Sequence, residues 1–91
     1  MRVLASERVV ELVRERGGRL YVWRTARTPG CEGIAFLRAS ERPPAGIEFD
    51  RVPFEPFELF LGPMSAPPVE LQLDVRGGRV EAYPDGAAWL I

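Results

Sequence analysis

Two periods of hydrophobic and polar residues divide this chain. Between Ser6 and Gly18, the residues Val9, Val10, Leu12 and Val13 recur at helical spacing and form one apolar stripe. Ser6 is a good N-cap, and Glu7 places a negative charge at the positive end of the helix dipole. Arg14 and Arg16 suit the last turn, and Gly17-Gly18 supplies a left-handed stop. The spacing therefore predicts a helix of about three turns, ending at the glycine pair.

After Gly18 the period falls to two, and short strands follow. "RLYVWRT" sets Leu20 and Val22 on one face and Tyr21 and Trp23 on the other. Apolar residues on both faces predict an inner strand covered on each side. "GIAFLRA" behaves likewise, with Ile34 and Phe36 opposing Ala35 and Leu37. "GIEFDRV" and "FELFLG" come next, separated by "PFEP", whose prolines cannot sit in a central ladder. In "VELQLDV" the alternation is clean: Val69, Leu71, Leu73 and Val75 are expected inward, with Glu70, Gln72 and Asp74 toward water. Gly77-Gly78 then permits a two-residue hairpin turn into "RVEAY". "PDG" reads as a second turn and "AAWLI" as a last short strand. "ERPPAG" and "GPMSAPP" read as loops. The stretch Val69–Val75, with its neighbouring prolines, reads as a sheet edge that needs covering or pairing. The fold class expected is α+β: an N-terminal helix, then a strand-rich sandwich or partly closed barrel.

Length sharpens this. Ninety-one residues predict one domain, residues 1–91. No apolar run approaches the roughly 20 residues that span a bilayer, and "MRVLASERVVELVRERGG" lacks the apolar centre of a signal peptide. One cysteine allows no internal disulfide, so a reducing cytoplasm is the expected location.

The basic residues number twelve, all arginine, and their distribution is uneven. Residues 1–30 hold seven arginines and three glutamates, 7 − 3 = +4, whereas residues 31–91 hold five arginines and ten acids, 5 − 10 = −5. Such a split suits a protein partner or self-association, and equally an ordinary solvated surface. Nucleic-acid binding through the Arg-rich N-terminal third, around Trp23, Arg24 and Arg27, is the weaker alternative. A pI near 5.5 gives little long-range attraction to phosphate, and Trp23 is more simply a core residue.

Candidate chemistry is narrowed by what is missing. Without histidine there is no Ser-His-Asp or Cys-His pair and no imidazole ligand; without lysine there is no Schiff base. Glu48 with Asp50, and Glu70 with Asp74, share strand faces, but these are solvent faces and poor places for an acid pair. No catalytic residue is assigned, and a non-enzymatic role is expected. Cys31 remains, within Pro29-Gly30-Cys31-Glu32-Gly33 between two strand-like runs. Flanking glycines let the backbone turn sharply and present a thiolate, the form that binds metal. Arg27 would lower the thiol pKa and Glu32 would raise it. A free cysteine also packs well as a small hydrophobe, so a purely structural Cys31 stands beside the ligand reading.

In order of features, the chain resembles the HesB-like domain of A-type iron–sulfur cluster carriers. "SERVVELVRERGG" corresponds to the family's opening helix, "RLYVWRT" to the following strand, and "PGCEGIAF" to the "SGCSGxxY" loop. "GIEFDRVPFEPFELFLG" is similar to its central strands, and "GGRVEAYPDG" to a degraded form of its late turn. The resemblance implies a metal role for Cys31, supported by Gly30 and Gly33. It also marks a departure, since the family's C-terminal Cys-Gly-Cys pair has no counterpart before Ile91. An iron–sulfur cluster ordinarily takes four thiolates, so the resemblance implies at most an iron or cluster shared between chains or completed by an external thiol. The function it implies is an accessory in iron–sulfur cluster biogenesis with incomplete ligation. The alternative is a protein-interaction module with a structural cysteine.

Overall fold

The computed structural model describes residues 2–24, 37–63 and 69–84. In chain order these form β1 (Arg2–Ala5), α1 (Glu7–Glu15), β2 (Arg19–Arg24), β3 (Leu37–Ser40), β4 (Asp50–Val52), β5 (Glu58–Leu61), β6 (Glu70–Arg76) and β7 (Arg79–Pro84). The α+β expectation holds. The helix is preceded by a strand that was not expected.

The helix begins and ends as its sequence requires. Ser6 has extended backbone, and its Oγ accepts from the Val9 amide at 3.4 Å. At the other end the Gly18 amide donates to the Val13 carbonyl at 2.8 Å, and that of Gly17 to Arg14 at 3.4 Å. This is a Schellman stop, with both glycines at positive φ. Val9 and Val13 are fully buried, and Val10 and Leu12 pack against the same core.

The strands form two sheets, ordered β1-β6-β7 and β3-β2-β5-β4. In the first, β1 runs parallel to β6, Val3 opposite Leu71 and Ala5 opposite Leu73, while β7 returns antiparallel. The β6–β7 turn is the expected Gly77-Gly78 pair, at φ 59° and 76°. In the second, β2 is central, antiparallel to β3 and parallel to β5, and β4 closes the far edge. Backbone bonds extend the β2–β5 ladder at both ends, from the Glu58 amide to the Gly18 carbonyl and from the Gly62 amide to the Val22 carbonyl. Among the described residues the sheets stay separate, so the barrel form of the expectation is not met. They share one core, in which Leu20, Val22, Leu59, Leu71 and Leu73 are essentially inaccessible. Each buried leucine contributes about 1.5–3 kcal/mol from the water it leaves.

Three expectations need correction. Val69 is 80% exposed, because β6 starts one residue later and Val69 lies beyond the core. Glu70, Gln72 and Asp74 are half-buried rather than water-facing. And β6 is the middle strand of its sheet, whose edge strands among the described residues are β1 and β7. "PDG" beyond Pro84, "AAWLI" and most of "GPMSAPP" lie outside the described residues.

Candidate functional site

The sequence-derived site does not fall within what the structure describes. Cys31, Gly30 and Gly33 all lie outside the described residues, as do Arg27, Glu32, Ile34, Ala35 and Phe36. The two anchors of their segment, Arg24 and Leu37, are among the described residues. Chain positions 25–36 connect β2 to β3, and these strands are hydrogen-bonded neighbours with Arg24 opposite Leu37. Both ends of the segment are therefore held side by side at one end of the four-stranded sheet.

That end, the Arg24 end, is packed from its outer face by aromatic rings. Tyr21 stacks on Phe60 with centroids 4.9 Å apart, and Phe49 meets Tyr21 and Trp23 edge-on at 5.1 and 6.2 Å. Such contacts add about 0.5–1.5 kcal/mol each beyond the area they bury. The second face of β2 is thus covered, as its sequence requires, by a neighbouring strand and the chain around Ile47–Phe49. Trp23 is half-buried there, a packing residue with Phe49 against it. Gly62 lets the layer close: a Cβ at this position would sit 3.0 Å from the Trp23 Cβ and 3.3 Å from Ile47 Cγ2.

Concave surface gathers at the opposite, Arg19 end. Three shallow depressions of about 760, 480 and 700 Å³ share the Phe54–Pro56 connection between β4 and β5. The first is lined by that connection, the second by β1 with part of β6, the third by the first turns of α1. Arg14 fixes the connection to the helix, its Nε donating to the Pro56 carbonyl at 3.0 Å. Arg19 and Glu58 pair at 2.9 Å with Arg51 3.8 Å away, all substantially exposed, so these pairs contribute little. The depressions and the two anchors of the 25–36 segment lie at different ends of the sheet.

Among the described residues, Glu41 has a shifted carboxyl. Burial pushes the Glu41 carboxyl up, but a hydrogen bond from Arg16, its own backbone amide and the Arg16 charge outweigh that. The net effect holds Glu41 below the usual carboxylate range. Arg16 reaches Glu41 Oε1 at 2.9 Å and the Gly78 carbonyl at 3.2 Å, tying the end of α1 to the chain after β3 and to the β6–β7 turn. This is a structural tie.

The donor set does not fit a complete cluster in one chain. A single thiol and no imidazole fall short of four thiolates. Among the described residues, no three acidic or thiol groups are grouped to hold a metal. Glu48 and Asp50 flank the start of β4 on exposed positions, and Glu70 and Asp74 lie on β6. Among the described residues no helix is long and apolar enough to cross a membrane. Compared with known proteins, the chain matches no family model, no curated protein and no solved structure.

Proposed function

We propose that this chain is a HesB-like, non-enzymatic accessory in iron–sulfur cluster biogenesis. Cys31 supplies one thiolate to an iron or cluster that is cargo shared between chains or completed by an external thiol such as glutathione. The observation that carries this reading is the glycine-flanked Pro29-Gly30-Cys31-Glu32-Gly33 run, in a segment whose ends emerge from the paired residues Arg24 and Leu37. Paired anchors fix where the segment leaves and re-enters the sheet, and a reducing compartment keeps a thiolate available.

Anaerobic reconstitution of the purified protein with ferrous iron and sulfide is the test. Visible-region absorption that disappears in Cys31→Ala supports the assignment. A colourless wild type removes it and leaves the protein-interaction role with a structural cysteine. Nucleic-acid binding stays the weaker alternative, because the rings of Tyr21, Trp23, Phe49 and Phe60 are engaged with one another and a base needs a free ring face to stack on.

A further inference from the structure

Among the described residues, one side of β1 carries no strand. The Arg2 amide donates to the Val69 carbonyl at 2.8 Å, so the Arg2 main chain points toward β6. Main-chain groups alternate sides along a strand, which turns Leu4 toward β6 as well and leaves the amides and carbonyls of Val3 and Ala5 on the outer edge. Among the described residues no strand pairs with β1 on that side. Exposed strand edges of this kind are templates for pairing with another strand.

We propose that the edge is covered by a second copy of this chain, the two β1 strands pairing antiparallel about Leu4. This goes beyond the functional reading above and does not depend on it. Only the register centred on Leu4 uses both open residues of each strand. It sets Val3 opposite the partner's Ala5 and Ala5 opposite the partner's Val3, each pair exchanging two backbone bonds. Leu4 then faces the partner's Leu4 as a non-hydrogen-bonded pair, where side chains approach most closely. Leu4 is half-buried in the single chain, on the face away from the core-packing Val3 and Ala5.

Charge favours the same register. Arg2 falls opposite the partner's Ser6 and beside the partner's Glu7, and the twofold repeats the contact. Neither Arg2 nor Glu7 has an ion-pair partner among the described residues. The result is a continuous six-stranded sheet across two chains.

Sedimentation equilibrium and residue-resolved hydrogen exchange test this together. The wild type is expected to dimerise at high micromolar concentration, with the Val3 and Ala5 amides becoming protected as concentration rises. The Arg2 and Leu4 amides, bonded within the chain, are protected at every concentration. Leu4→Glu, which sets like charges face to face, and Ala5→Pro, which removes an outward donor on an edge that tolerates proline, are expected to be folded monomers. Arg2→Glu should weaken the dimer roughly tenfold, and adding Glu7→Arg should restore it. A wild type monomeric throughout, Val3 and Ala5 exchange independent of concentration, or an unchanged dimer in Leu4→Glu would each overturn the proposal. The exchange measurement needs no variant, so it decides the matter even if a substitution unfolds the chain.

Discussion

The two ends of β5 solve one packing problem in opposite ways. At the Arg19 end Phe57 fills space with a ring that is 5% exposed and set edge-on to Phe54 at 4.9 Å. At the Arg24 end Gly62 fills nothing, and the Trp23 Cβ and Ile47 close over it. One end is fixed by a side chain and the other by the absence of one. The concave surface lies at the first end, and the thiol-bearing segment is anchored at the second. Depressions arise where proline-rich chain arches over a sheet; they carry no chemistry merely by being concave. A candidate site is better sought where reactive residue types are tethered.

The contrast can be broken at either end. Phe57→Ala should cost most, about 3–5 kcal/mol, since it leaves a cavity beside Phe54 that the prolines cannot collapse into. Denaturant unfolding would show it as a lowered midpoint at unchanged slope. Gly62→Ala should cost about 1–3 kcal/mol by overpacking, because the atom it meets first is a Cβ that cannot rotate away. A neutral result for Gly62→Ala would mean the outer aromatic layer is looser than its contacts indicate.

The smallest effect belongs to neither end. Arg16 is 44% exposed, so Glu41→Gln should cost only about a few tenths of a kcal/mol after solvent screening. Its sign with pH is fixed. Glu41 is depressed in the folded chain, so its contribution is fully present above the unfolded-state pKa. It is lost as pH falls through the lowered folded value. The stability difference between wild type and Glu41→Gln should therefore vanish in acid and be constant near neutrality.

Legibility followed the range of the interactions. The helix was readable because cap, stripe and glycine stop lie within thirteen consecutive positions. The β6–β7 hairpin was readable because its turn and both strands are contiguous. β1 was missed: "RVLA" is too short to show a period, and it becomes a strand only by pairing with Glu70–Leu73, distant in sequence. That single omission also misassigned the sheet edge to β6. Gly62 gave no signal, since its role is set by Trp23 and Ile47 arriving from elsewhere in the chain. For the candidate site, residue types and spacing were legible at Cys31, whereas its segment contributes only the positions of its two anchors to the described structure.

The central proposal is that ligand chemistry belongs to the segment anchored at the Arg24 end of the sheet rather than to the concave Arg19 end. Amide NMR of the labelled protein, before and after anaerobic addition of ferrous iron and sulfide, tests it most directly. Paramagnetic broadening is expected at Trp23, Arg24, Leu37 and Arg38, lost in Cys31→Ala, with Phe54, Glu55 and Phe57 left sharp. Broadening confined to Phe54, Glu55 and the first turn of α1, or the same broadening in Cys31→Ala, would contradict it.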